Sequence, residues 1–474
     1  MRTWPRGNSS AKVVNSGEPL AALSKKPELL APGGSLEKCK IAFLYGADAV
    51  YVGGPEFSLR SYARNLSDHD LAEAVFVAHR LHKRLYVTIN IYARAADLKT
   101  LPPYLEYLQQ LGVDAVIVSD PGVLVSVRRH ASDLAVHLST QANTTNALAV
   151  AFWSQQGIRR INLARELSLA EIADIAGASD AELEVFVHGA MCVSYSGRCL
   201  LSAFLTGRSA NSGLCTQPCR WTYELIEASR PGERFPLTQD RRGSYLLNSR
   251  DLCLIEEIGR LAALDLTAFK IEGRMKGALY VATVTRCYRQ AIDRWWADPS
   301  AFRAEADWLQ DLEQVSHRPY TKGLLVAPSG NGAAGLAGTV SYVRSHGLAG
   351  LVRSHPAAHP DHPESSNLPE PARICLEVRS RIELPVELEF LYPDGSSRLH
   401  QVQRMRDLRG EPIRLAHPNS IIELEVPFST FPLQVVRRRQ AEGSGLESAG
   451  DDATETAASA CHAANFPAAA AVSR

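Results

Sequence analysis

The sequence lacks long apolar runs. No window of ~18 uninterrupted apolar residues occurs, the length a helix needs to cross a bilayer, so no membrane partner is expected. It lacks an excess of either charge: Lys plus Arg and Asp plus Glu both number 51. Overall charge therefore gives no footprint of nucleic-acid binding, and only a local basic face could supply one. Residues 1–26 contain no apolar core of signal-peptide length, and the nine cysteines are an odd number in a long chain. Both features point to a reducing, cytoplasmic compartment, where clustered thiols bind metal more often than they form disulfides. Two hydrolytic signatures are missing as well: there is no HExxH helix, and no GxSxG elbow in the region read below as a barrel.

Hydrophobic residues make up 45% of the chain, which excludes global disorder and permits a large core. The ends, 1–26 and 441–474, are polar or rich in Ala, Ser and acidic residues and read as disordered; Cys461 falls in the second. Between them, β-type runs recur at 28–31, 49–53, 85–91, 115–120, 135–140, 160–165, 184–189 and 266–273. Helix-period stretches at 36–45, 71–81 and 101–111 separate the early ones. Eight apolar strands alternating with helices predict a (β/α)8 TIM-like barrel over 27–300. The long gap between the seventh and eighth runs places an insertion, 190–265, at the face where barrel active sites sit, and it holds five of the nine cysteines. A helical connector is expected at 301–335. Period-2 runs broken by turns then predict a small antiparallel β-barrel or sandwich over 336–440.

The insertion places Cys192 and Cys199 seven apart, Cys215 sixteen later and Cys219 four after that, among glycines at 189, 197, 207 and 213. Glycine allows the tight loops a cluster requires. Zinc sites usually pair cysteines two to four residues apart, a spacing that only Cys215 and Cys219 meet; iron–sulfur ligation accepts wider intervals. Spacing alone leaves iron–sulfur, zinc and no metal all open. Cys253 reads either as a fourth ligand in place of Cys219 or as a core residue. Cys39, Cys287 and Cys375 sit in helix or strand contexts where a small buried thiol is the default.

EVFVHGAMCVSYSGRCLLS, residues 184–202, resembles the signature of the collagenase-like bacterial peptidase family. Glu184, Phe186, Gly189, Cys192, Gly197, Cys199 and Ser202 stand at its defining places. ELLAPGGSLE, GADAVYVGG and FKIEGRMK are also family-like, and the resemblance covers about 27–330. Despite the family name, the branch most similar here is one of iron–sulfur proteins in prephenate-dependent 5-hydroxylation of the tRNA wobble uridine. That resemblance implies a 4Fe–4S cluster on Cys192, Cys199, Cys215 and Cys219, prephenate as co-substrate and tRNA as partner. A peptidase, or a non-catalytic iron–sulfur subunit serving rRNA cytidine hydroxylation or ubiquinone synthesis, is the alternative; a partner protein or a second copy of the chain belongs to these readings.

For a modifying enzyme, side chains at the C-terminal ends of barrel strands are the candidates: Asn90, Asp120, Gln141, Asn143, Arg165, His188, Lys270, Glu272 and Arg274. Arg165 and Arg274 suit bidentate binding of a dicarboxylate. Lys270, Glu272 and Arg274 could instead form ion pairs that close the barrel. In the β-rich end, Arg404, Arg406, Arg409 and Arg437 to Arg439 could contact phosphates or form a solvated strand edge.

Overall fold

The computed structural model describes residues 25–55, 57–58, 65–191, 250–326, 343–353 and 372–440, with short pieces between 201 and 249 and at 336–337. The eight β-runs all form strands: β1 Glu28–Gly33, β2 Ala49–Gly53, β3 Arg84–Ile89, β4 Ala115–Val118, β5 Ala135–Leu138, β6 Arg160–Asn162, β7 Glu182–Ala190 and β8 Ala268–Ile271. Each pairs in parallel with the next, and β8 pairs with both β7 and β1. The expected barrel is therefore closed.

The helices around it are α1 Leu36–Leu44, α2 Asp68–Arg80, α3 Ala95–Leu111, α4 Pro121–His130, α5 Ala147–Gln155, α6 Leu169–Gly177 and α7 Ala278–Ala297. Several start where a short polar side chain takes up an orphan N–H of the first turn: Ser35 for α1, Ser67 for α2, Asp120 for α4 and Ser168 for α6. Asp120 is thereby a helix cap, with Oδ1 accepting from the Gly122 and Val123 amides. No described helix is long and apolar enough to cross a membrane.

Strand alternation divides the side chains into two sets. One set, including Leu29, Val50, Val87, Val116, Val136, Ile161, Val185 and Phe269, packs outward with the helices in the main core. The inward set has only a small apolar cluster, Leu30, Ala49, Tyr51, Tyr86, Ala115 and Ile117. The rest of the interior is polar and buried: Glu28, His137, Arg160, Asn162, Glu184 and Lys270. Arg160, 2% exposed, donates to Glu28 at 2.6 Å and Glu182 at 3.0 Å and lies 3.7 Å from Glu184. Glu28 also accepts from Tyr86 at 3.0 Å and pairs with Arg84 at 2.8 Å, while Lys270 and Asn162 donate to Glu184 at 3.0 and 2.8 Å. Lys270 is thus one of the ion-paired groups inside the barrel. Burial disfavours the charge on Arg160, but Glu28 beside it outweighs this and holds the guanidinium protonated.

After α7, helix α8 Ala306–Gln314 leads to Tyr320–Thr321, which joins the barrel sheet. The C-terminal domain is a single curled antiparallel sheet: β9 His346–Arg353, β10 Ala372–Val378, β11 Val386–Leu391, β12 Ser397–Val402, β13 Met405–Asp407, β14 Ile421–Val426 and β15 Val435–Arg439. Their spatial order is β12-β11-β15-β9-β10-β14-β13, and the two-residue strand Pro412–Ile413 pairs beyond β13. The sheet docks on the barrel through Tyr45 at the end of α1, whose hydroxyl donates to the Leu391 carbonyl and accepts from the Val435 amide, each at 3.0 Å. Arg437 lies in this contact, 2% exposed, bonded to Glu389 at 2.8 Å and Asp311 at 3.1 Å. It is not part of a solvated edge: β15 lies between β11 and β9, and Arg437 stands opposite Glu389 of β11.

Replacing Arg160 with Met would leave buried carboxylates without their cation. We expect a loss of about 3–5 kcal/mol in urea unfolding. A loss under about 1 kcal/mol would show that the network contributes little net stability.

Candidate active site at the barrel mouth

The chain leaves β7 at Ala190 on the C-terminal side of the barrel and returns to it through Asp251–Cys253. That short strand runs antiparallel to the end of β7, with Asp251 opposite Ala190 and Cys253 opposite His188. Both ends of the cysteine-bearing insertion are therefore fixed at the mouth. Gly189, at φ +105°, is required there: a Cβ would lie 2.2 Å from the Glu272 carbonyl oxygen.

A buried ion pair locks this stem. Asp251 and Arg318, each 2% exposed, meet through Nε at 2.8 Å and Nη2 at 2.6 Å, and the Arg318 amide donates to Asp251 at 3.1 Å. Arg318 Nη2 also reaches the carbonyl of Met191, the residue before Cys192, at 3.5 Å. Burial alone would raise the Asp251 carboxyl; the Arg318 guanidinium outweighs it and holds the group below its usual range.

Cys192, Cys199, Cys215 and Cys219 lie outside the described residues. Cys253 is described. It is buried, and the Tyr288 hydroxyl of α7 points to its sulfur at 4.0 Å, in the layer between β7 and α7. Burial pushes its thiol up to about 11, as it pushes Cys39 and Cys287 up to about 12. A thiol held protonated inside a core is a poor ligand. Cys375 is also buried, on β10.

The remaining candidates divide between mouth and wall. Arg274 follows β8 and is buried; its Nη1 donates to Thr88 Oγ1 at 2.8 Å, and Thr88 in turn donates to the Val52 carbonyl and meets Ser58 at 3.1 Å. Gly53 makes room for the guanidinium: a Cβ there would be 2.6 Å from Nη1. Glu272 accepts from Tyr51 at 3.0 Å. Lys270 lies below, 4.6 Å from the Tyr51 ring centre and 5.4 Å from that of Phe186. Arg165, half-buried after β6, lies over the Phe186 ring, 5.1 Å from its centre, and donates to the Ala190 carbonyl at 2.8 Å. Gln141 accepts from Asn90 at 2.8 Å, and Ser119 donates to the Asn90 carbonyl at 3.1 Å. Asn143 closes the 3-10 turn after β5 in a left-handed conformation.

His188 does not share this set. A register shift between Lys270 and Ile271 turns it to the α7 side, where its ring lies 5.4–5.9 Å from those of Tyr280, Tyr288 and Tyr320. Nδ1 is 3.3 Å from the Tyr288 hydroxyl, and Nε2 is buried with no hydrogen-bond partner among the described residues. Burial drives its pKa down to about 3, further lowered by His317 and Lys276 and partly offset by Asp251. It is a neutral ring in the wall.

The motif search missed Thr88, Ser58, Tyr51, Asp251 and Arg318. Thr88 and Tyr51 carry a signal in retrospect, because both fall on the inward parity of their strands. Asp251 and Arg318 carry none: they are 67 residues apart and meet only in space.

Between pH 6.5 and about 3, the unfolded chain takes up a proton at residue 188 that the folded chain does not. Stability therefore falls with pH across this window, by about 1.4 kcal/mol per unit for one such group. A His188→Gln chain that folds is expected to lose this share in denaturation series at pH 7, 6 and 5. Equal slopes in the two proteins would mean that folded His188 protonates.

Comparison with known proteins places these features in a family. Residues 34–334 match the description Peptidase family U32, and residues 366–437 match Peptidase family U32 C-terminal domain. The chain is 36% identical to tRNA hydroxylation protein P1 of Bacillus subtilis (strain 168), over 91% of this chain and 99% of that protein. It is 40% identical to tRNA hydroxylation protein P of Escherichia coli (strain K12), over 63% of this chain and 74% of that one. A 23S rRNA 5-hydroxycytidine synthase of Escherichia coli (strain K12) is 38% identical over 65% of this chain and 46% of its own length. By its barrel, its C-terminal sheet and this end-to-end similarity, the chain belongs to peptidase family U32.

Proposed function

We propose that this chain is an RNA-hydroxylating enzyme that forms 5-hydroxyuridine at the tRNA wobble position, with prephenate as co-substrate and a 4Fe–4S cluster on Cys192, Cys199, Cys215 and Cys219. The observation that carries the reading is the similarity to a tRNA hydroxylation protein along almost the whole length of both chains. The mouth is compatible with it. Arg165 and Arg274 are two guanidiniums that follow barrel strands, Arg165 over the Phe186 ring and Arg274 on Thr88, and two such forks suit a ligand with two carboxylates. Thr88 and Gly53 fix the Arg274 fork, and Tyr51 orients Glu272 as a hydrogen-bond or proton acceptor. Asn90 and Gln141 present a paired amide edge on the β3–β5 side.

The stem supports the cluster assignment. Arg318 and Asp251 hold the backbone one residue before Cys192, so that thiolate would start from a fixed point at the mouth. Bound there, an iron–sulfur cluster supplies one-electron chemistry. The closed environment of Cys253 favours Cys219 over it as the fourth ligand.

In a deletion strain, tRNA nucleoside mass spectrometry should show loss of wobble-uridine hydroxylation; an unchanged nucleoside pool would remove this substrate. Under argon, Cys219→Ala should lose visible absorption, iron and sulfide, while Cys253→Ala keeps them. The reverse pattern would exchange the two assignments, and zinc without sulfide would end the iron–sulfur reading. Arg274→Lys should lower kcat/KM for prephenate about 10- to 100-fold, the worth of a lost charged hydrogen bond. Gelatin cleavage by pure protein that disappears with one point substitution would return the chain to the hydrolases.

A further inference from the structure

In the C-terminal sheet β12 stands at one limit of the strand order and β13 next to the other, where only the two-residue strand Pro412–Ile413 pairs beyond it. Yet the chain passes from β12 to β13 through only Gln403 and Arg404. The sheet must curl to allow this, and it leaves an unclosed seam. A cavity of about 240 Å³ lies along it, lined by Arg373, His400, Gln403, Arg404 and Arg406 above a β14 floor that includes Glu423 and Glu425.

The arginines at this seam differ from the buried ones that hold the fold together. Arg160, Arg286, Arg318 and Arg437 are buried and matched to carboxylates. In contrast, Arg404 and Arg406 are exposed, and among the described residues neither has a carboxylate within 4.0 Å. The same holds for Arg398, Arg409 and Arg414 nearby, so one stretch of the chain carries five guanidiniums outside any ion pair among the described residues, against two carboxylates, Asp407 and Glu411. Arg373 only grazes the floor, 4.0 Å from Glu423 and 3.9 Å from Glu425, and is 57% exposed. No lysine occurs after Lys322, so every fixed cation here is a planar fork able to grip two phosphate oxygens at once. Gln403 and His400 add neutral hydrogen-bonding groups in the same cavity.

We infer that this seam is an RNA backbone-binding groove, with Arg373, Arg404 and Arg406 contacting phosphates. The inference rests on the RNA-modifying reading above and adds a second surface to it. A chain with no net charge attracts a polyanion only through a local cationic face, and this seam is such a face. The barrel mouth would then act on one nucleotide while the groove holds the backbone elsewhere on the same molecule.

The test uses the full chain and fluorescently labelled deacylated tRNA, with affinity measured from 50 to 300 mM salt. For R373Q/R404Q/R406Q, the slope of log affinity against log salt should fall by about 2–3, since each lost phosphate contact removes about 0.7–0.9. Affinity at low salt should drop about tenfold or more. R373K/R404K/R406K should recover most of the slope, which a folding defect would not allow. R80Q/R129Q, on the outer helices α2 and α4, should keep it. A glutamine triple variant with the wild-type slope would overturn the groove while leaving the tRNA reading intact. Wild-type protein with no salt-dependent tRNA binding would also overturn it, and the deletion-strain nucleosides then judge the tRNA reading separately. Loss of binding to an acidic peptide but not to tRNA would assign the seam to a protein partner and overturn the inference.

Discussion

A guanidinium enclosed by carboxylates inside the barrel constrains the rest of this structure. Arg160 meets Glu28, Glu182 and Glu184, which come from the starts of β1 and β7. Taking these charges out of water costs several kcal/mol per ion, recovered only when the geometry is close to ideal. The strands must therefore hold one stagger, because a shift of a single residue would send these groups into the apolar outer layer. The network also fills the end of the barrel where the strands begin. What remains for chemistry is the other end, where Tyr51, Lys270 and Phe186 form the floor beneath Arg165, Glu272 and Arg274.

The same device recurs at two joints. Asp251 and Arg318 close the stem of the insertion with almost no exposure to solvent. Between the domains, Asp311 of α8 takes Arg286 from α7 and Arg437 from β15. Each pair ties together segments far apart in sequence, and each is strongly directional because the guanidinium fork accepts few approaches. Barrel interior, insertion stem and domain contact are thus all set by buried arginines, whereas the seam of the C-terminal sheet leaves its arginines open. This contrast gives a chain of zero net charge a distinct local polarity.

The family name and the geometry of the mouth point in different directions. The mouth gathers cationic, amide and carboxylate groups at strand ends, and His188 is turned into the wall and held neutral. The hydroxyl that meets His188 is that of Tyr288 in the wall, while Ser58, Thr88 and Ser119 at the mouth bond to one another, to backbone carbonyls or to Arg274. Relatives similar to this chain are named for hydroxylation.

The sequence by itself determined the barrel, because eight apolar runs alternating with amphipathic helices have few other ways to bury both faces of a parallel sheet. It also located the insertion, since a gap between the seventh and eighth strands must open at the mouth, and it marked Arg165, Glu272 and Arg274 by their places at strand ends. Periodicity did not reveal β12 and β13, whose polar residues Arg398 to Arg406 alternate too weakly to read as strands. Only the tertiary structure decided which strand-end residues face the mouth. One register shift on β7 was enough to turn His188 away, and no pattern in a single strand encodes its partner's stagger. Only the tertiary structure, likewise, paired Asp251 with Arg318 and buried Arg437 while leaving Arg404 exposed. All are charged residues in polar stretches, and whether such a residue is buried depends on the carboxylate that folding brings to it.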